Sequence, residues 1–242
     1  MEKPESRVLT IGNSHIGYMH RTGTGKKLLL VHGLGAHSGS WLRLIEHLPE
    51  TLDIYAIDLL GHGTSAVPKE FGISAQETAL DMFVKAIGIS DFYLLGHSYG
   101  AWLALLYSMG HSGVAGLIIE DASGLESYFE DVSGPGNKES YIGEVVGKIS
   151  GRDGVSQNVV AGFMNKMFED KHINVEALAL IKCPALIIWG SDDLRIPLKY
   201  GHIFSEHIKG SSLKVINGAK HTPHYTHAVE VAGAVKGFID GV

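Results

Sequence analysis

The sequence predicts an α/β fold, in which a mostly parallel sheet carries helices on both faces and is interrupted once by a small helical insertion. Three observations support this. Short apolar runs of strand length recur at 27–32, 53–57, 92–95, 114–120, 185–189 and 213–216. Segments with helical spacing separate them, as the crossovers of a parallel sheet require. One stretch, 125–180, loses the strand runs but keeps helical spacing. The expected organisation is therefore a core of 1–124 and 181–242, with 125–180 inserted between the sixth and seventh predicted strands.

The elements follow in order. Residues 8–11 and 16–19 flank Gly12-Asn13-Ser14 and read as an opening β-hairpin. The run at 27–32 ends at Gly33-Leu34-Gly35, and Trp41, Leu44, Ile45 and Leu48 then repeat at helical spacing. The run at 53–57 closes on Asp58-Leu59-Leu60-Gly61-His62-Gly63-Thr64-Ser65. Ser74, with Glu77 three residues on, predicts a capped helix start running to about Ile87. The run at 92–95 breaks at Gly96-His97-Ser98-Tyr99-Gly100 and resumes over 101–106 with good helix formers. Residues 114–120 lead into Asp121-Ala122-Ser123-Gly124. In the insertion, residues 133–137 mark a turn. Tyr141, Ile142, Val145, Val146 and Ile149 form one helical stripe; Val159, Val160, Phe163, Met164, Met167 and Phe168 form another. A strand at 185–189, a helix at 198–208, a strand at 213–216 and a helix at 227–239 complete the chain.

Composition narrows the function classes. A length of 242 residues suits one large domain, or a core with a small insertion. The net charge of −6, with both signs mixed, argues against nucleic acid or an anionic membrane as partner. Cys183 is the only cysteine, so no internal disulfide framework is expected; before Pro184 it reads as a small buried residue. The first fifteen residues lack an apolar signal core, and no run approaches membrane-spanning length. A soluble, cytoplasmic protein without membrane insertion is expected.

Ligands of such sheets bind beyond the carboxyl ends of the strands. Gly33, Asp58, Ser98, Asp121, Asp193 and His221 all follow predicted strands, so they should share one rim. Ser98 is the centre of G-x-S-x-G between a strand and a helix. Flanking glycines there permit a sharp turn that holds the serine strained and exposed to a cleft. A serine hydroxyl is a poor nucleophile at neutral pH; it needs a base, and the base needs a group to orient it. His221, in Gly218-Ala219-Lys220-His221, follows the last strand. Asp193, in Gly190-Ser191-Asp192-Asp193, follows the strand before it. The chain order is serine, aspartate, histidine.

Four ordered segments, HGLG, DLLGHGTS, GHSYGA, and GSDDLRIP with GAKHTPH, carry a resemblance that covers almost the whole chain. The sequence resembles the α/β-hydrolase superfamily, closest in pattern to cap-bearing esterases, lipases and C–C hydrolases. The resemblance implies an α/β-hydrolase fold with 125–180 as a substrate-covering cap. It implies Ser98 as nucleophile, His221 as base and Asp193 as acid. Asp193, three after the glycine and four before the proline, is preferred to Asp192 and to Asp121, which some relatives use instead. It further implies an oxyanion hole from the backbone N–H groups of Leu34 and Tyr99. His97 should point away from the hydroxyl, His62 should be structural, and His224 and His227 should be rim or surface residues.

The expected reaction is serine-dependent hydrolysis of a small, uncharged carboxylic ester with a short or medium acyl chain. Phe163, Met164, Met167 and Phe168 are candidates for the roof of its pocket. No metal or organic cofactor is required, and no H-x-x-x-H or H-E-x-x-H arrangement with matching carboxylates occurs. HGLGAHSGSW followed by GHGTS also resembles the opening of monoglyceride lipases, with Trp41 where those have tyrosine. C–C bond hydrolysis of a diketone and a hydrolase-like ligand receptor are the alternatives; oligomeric state is not specified by the sequence. Glycines at 134, 136, 143, 147, 151 and 154 would permit the cap to move.

Overall fold

The computed structural model describes residues 3–134, 137–149 and 155–242. Eight strands form one sheet in the order β1-β2-β4-β3-β5-β6-β7-β8. β1 (Glu5–Ile11) and β2 (Ser14–Arg21) make the expected hairpin, and β2 pairs antiparallel with β4 (Asp53–Ile57). β3 (Lys27–Val31), β5 (Phe92–His97), β6 (Val114–Glu120), β7 (Ala185–Gly190) and β8 (Ser211–Ile216) continue from β4 in parallel. The carboxyl ends of β3 to β8 therefore lie along one rim.

The apolar runs are unbroken because both faces of the sheet are buried. Along β3, Leu29 and Val31 enter one core while Leu28 and Leu30 enter the other, as the two-residue period of a strand dictates. The first core takes α2 (Ile73–Ile87) through Leu80 and Phe83, α3 (Tyr99–Gly110) through Trp102 and Leu103, and α7 (Lys199–His207) through Tyr200 and Phe204. The second takes α1 (Leu42–Ile45) through Leu44 and Ile45, and α9 (Ala228–Gly241) through Val231 and Val235. Between β6 and β7 lie α4 (Glu126–Val132), α5 (Asn137–Ile149) and α6 (Gln157–Met167), then a 3₁₀ segment at Val175–Leu180.

Several boundaries differ from the sequence expectation, each for a long-range reason. The helix expected over 41–48 is a 3₁₀ turn, Ser38–Trp41, followed by the four-residue α1. The buried Arg21 guanidinium ends it by donating to the carbonyls of Ile45, Leu48 and Pro49. α2 begins at Ile73 without a capping bond from Ser74; instead its first N–H donates to Asp170 Oδ2 at 2.9 Å. A short α8 (Pro223–Thr226) precedes α9. Cys183 is half-buried rather than buried. Gly143 and Gly147 lie within α5, whereas Gly136, Gly151 and Gly154 lie outside the described residues.

Candidate active site

Ser98 stands alone between β5 and α3, with φ 54° and ψ −115°. A positive φ costs an L-residue on the order of 1 kcal/mol or more, so the surroundings must enforce it. They do so through backbone contact. A Cβ on Gly96 would lie 2.3 Å from the Gly100 carbonyl oxygen, and one on Gly100 would lie 2.3 Å from that of Val31. The turn is pressed onto β3 with no room for side chains.

His221 Nε2 lies 3.0 Å from Ser98 Oγ, and its Nδ1 lies 2.7 Å from Asp193 Oδ2. With Nδ1–H donating to the carboxylate, Nε2 is left to accept the serine hydroxyl proton. The other carboxylate oxygen of Asp193 accepts the N–H groups of Arg195 (2.8 Å) and Ile196 (3.1 Å), which fixes its orientation. Burial holds the His221 pKa below the ordinary imidazole value, partly offset by the Asp193 hydrogen bond. The ring is therefore neutral, and able to accept a proton, at pH 7.

The neighbouring acids are placed differently. Asp192 is exposed and accepts the Ser191 hydroxyl at 2.7 Å. Asp121 is buried with φ 44°; its Oδ1 accepts the Gly190 N–H at 2.9 Å and its Oδ2 has no partner among the described residues. Burial, with Glu120 and Asp193 nearby, pushes its pKa well above the ordinary carboxylate value, which favours the protonated, neutral form.

The loop bearing His221 is held from below. His97 points away from the hydroxyl, and its Nε2–H donates to the His221 carbonyl at 2.6 Å. His224, expected at the rim or surface, is buried. Its backbone N–H and ring Nδ1 engage the two oxygens of Glu120 at 2.7 and 2.5 Å. Its ring packs 4.4 Å from Trp41 and 4.7 Å from His97. Glu120 is the functional residue the sequence reading missed. It looks like the last residue of an apolar strand, and its partner is distant in the chain. His227 is partly exposed at the start of α9.

Two further imidazoles shape the turn after β3. His32 accepts the Leu59 N–H at 3.0 Å and donates to the Gly33 carbonyl at 2.8 Å. His62 accepts the Gly35 N–H at 3.1 Å and donates to the Leu60 carbonyl at 3.0 Å. His62 is thus structural, holding the turn that carries Leu34. Burial lowers the pKa of His32 to about 3 and of His62 to about 4. Both folded values lie below the unfolded value near 6.5. Their stabilisation is therefore complete above pH 6.5 and is lost as pH falls toward 4 and 3, at up to about 1.4 kcal/mol per pH unit for each. The urea midpoint should fall between pH 6.5 and 4.5, and His62→Gln should flatten that slope by one proton's worth. Parallel slopes for the two proteins would count against this assignment.

A cavity of about 30 Å³, room for about one water, lies over Ser98 and is lined in part by Leu34, Tyr99, Ser123, Met164, Met167 and Arg195. The Ser123 hydroxyl is buried and has no partner among the described residues. Phe163 and Phe168 do not line the cavity. Phe163 is fully buried, against Phe71, Tyr99 and His62. Phe168 closes α6 and turns to Phe129 and Tyr141. Outside Tyr141, Val145 and Arg195, a vestibule of about 530 Å³ opens beside His221.

Two sets of residues could surround a metal ion: His97, Asp121 and His221, and His97, Glu120 and His224, each with donor atoms within 4.8 Å of one another. In both sets the histidines already serve the hydrogen bonds described above: His97 to the His221 carbonyl, His221 to Asp193 and Ser98, and His224 to Glu120. No helix among the described residues is long and apolar enough to cross a membrane.

The sequence profile of the alpha/beta hydrolase family matches residues 28–234. A pimeloyl-[acyl-carrier protein] methyl ester esterase of Neisseria meningitidis is 27% identical, over 90% of this chain and 94% of that protein. Monoacylglycerol lipase abhd6-B of Xenopus laevis is 25% identical, over 87% of this chain and 75% of that protein. Among solved structures, the esterase EaEST of Exiguobacterium antarcticum superposes with a TM-score of 0.78 at 18% identity, covering 99% of this chain and 100% of that one. The CarC serine hydrolase involved in carbazole degradation superposes equally well, at 0.78 and 21% identity, covering 99% and 100%. The profile match spans most of the sequence, and the chain belongs to the alpha/beta hydrolase family.

Proposed function

We propose that this chain is a serine esterase acting on small carboxylic esters of short or medium acyl chain. The observation that supports this best is the unbroken hydrogen-bond line from Asp193 through His221 to a strained Ser98. Ser98 Oγ attacks the ester carbonyl as His221 takes its proton, and Asp193 stabilises the imidazolium. The N–H groups of Leu34 and Tyr99 receive the oxyanion, each contributing about 3 kcal/mol. Tyr99 opens α3, so its N–H has no partner one turn back in the helix. His221 returns the proton to the departing alcohol, and water then releases the acid from Ser98. Residues 125–180 act as a cap: α5 and α6 supply Val145, Met164 and Met167 to the cavity roof. The esterase and lipase relatives support the ester class.

The test pairs turnover with labelling. A p-nitrophenyl ester series from acetate to decanoate should show a chain-length optimum at the short-to-medium end. A fluorophosphonate should add once per chain, on Ser98. Absence of ester turnover would sink the proposal. Turnover confined to a diketone panel would make the chain a C–C hydrolase, and ligand binding without turnover would make it a receptor.

A further inference from the structure

We infer that Arg195 is a specificity residue that receives a carboxylate on the substrate, so that the preferred substrates are monoesters of short dicarboxylic acids. The inference rests on the esterase reading and names its substrate class. It replaces the expectation of an uncharged ester, which came from the absence of a basic cluster in the sequence. Lys148, Arg195 and Lys220 are far apart in the chain and meet only at the vestibule wall.

Arg195 occupies the seam of the site. It lines both the cavity over Ser98 and the vestibule outside it, a position it shares with Tyr141 and Val145. Its backbone is held by the same carboxylate that orients His221, since its N–H donates to Asp193 Oδ1. The side chain therefore starts from a fixed point two residues from the acid. The other described arginines are engaged. Arg7 pairs with Glu5, Arg21 serves three carbonyls, and Arg43 lies 3.9 Å over the Tyr225 ring. The Arg195 guanidinium has no hydrogen bond or ion pair among the described residues.

Glu144 and Asp192 share the vestibule wall with Arg195, but neither makes an ion pair or hydrogen bond with its guanidinium among the described residues. At the vestibule wall, Lys148 pairs with Glu144, and Asp192 accepts the Ser191 hydroxyl. That leaves Arg195 and Lys220 as cations without a side-chain partner among the described residues. A half-buried, unpaired guanidinium beside a catalytic serine presents a planar two-donor fork, and the group that matches it is a carboxylate. In the binding mode this implies, the ester carbonyl lies at Ser98 and the acyl chain carries its carboxylate past Arg195 toward the vestibule.

The experiment measures kcat/KM for monomethyl succinate, glutarate and adipate against methyl butyrate, valerate and hexanoate, by methanol release. The ratio of half-ester to neutral ester of similar length is the readout. It should exceed 10 in the wild type for the best chain length. Arg195→Gln should lower it about 10- to 100-fold, chiefly through KM, as loss of a charge-assisted hydrogen bond implies. Arg195→Lys should restore part of it, and 0.5 M salt should reduce it in the wild type. Free glutarate should inhibit wild-type neutral-ester turnover competitively, which tests the site even if Arg195→Gln fails to fold. A ratio near one, a ratio unmoved by Arg195→Gln, or no inhibition by glutarate would overturn the inference while leaving the esterase reading intact. Failure to hydrolyse either class would remove the esterase reading itself.

Discussion

Ser98→Ala should lower ester kcat/KM about 10⁶-fold, and His221→Ala by a similar amount, because each removes the same act of nucleophile activation. Since the two act as one unit, the double variant should lose nothing further. Asp193→Asn should cost about 10⁴-fold, since an amide facing His221 Nδ1 favours the tautomer whose Nε2 carries a proton and cannot accept one from Ser98. The neighbouring acids provide the contrast. Asp192→Asn alters an exposed carboxylate whose one side-chain hydrogen bond among the described residues is to Ser191, and should change kcat/KM for a neutral ester less than threefold. Asp121→Asn stays neutral and keeps an oxygen for the Gly190 N–H, so its effect should stay below tenfold. The pH profile carries the same logic. His221 must be neutral to act, and its folded pKa is below 6.5, so wild-type kcat/KM should be flat above that pH and fall on the acid side. Additive losses for Ser98 and His221, or equal losses at Asp192 and Asp193, would refute the arrangement.

Much of this site was legible in the sequence, for a physical reason. A parallel sheet buried on both faces writes itself as uninterrupted apolar runs, and the first residues after those runs must lie on one rim. Ser98, Asp193 and His221 each follow such a run, and the structure brings them within hydrogen-bond distance. What local pattern could not carry were contacts made across the fold. Arg21 ends the helix near Ile45, and Asp170 caps α2 in place of the predicted Ser74. Phe163 and Met164 share one stripe, yet the first packs the core while the second lines the cavity. Helical spacing marks an apolar face without saying which part of it a cavity will touch. His224 follows His221 in the same segment, which predicts a rim or surface residue, whereas Glu120 draws it inside.

Glu120→Ala should lower the unfolding free energy by about 3–5 kcal/mol, the range for removing one partner of a buried acid–imidazole pair. Glu120 is fully buried, and both its oxygens are committed to His224. Its loss strands the His224 N–H and ring nitrogen in a site closed to water by Trp41 and His97. Glu120→Gln keeps an oxygen for the backbone N–H and should cost less than half as much. The consequence reaches catalysis because the same turn presents His221, whose carbonyl is tied to His97. Freed at His224, the turn has one tether fewer, and the base drifts from Ser98. Glu120→Ala should therefore lower kcat at least tenfold under conditions where the protein is still fully folded, with little change in KM, and Glu120→Gln should recover most of that loss. Equilibrium urea unfolding and steady-state kinetics on the same preparations separate the two effects. A destabilised Glu120→Ala variant with unchanged kcat would make the pair a matter of stability alone. A loss of kcat without destabilisation would show that the His221 turn keeps its fold but not its aim.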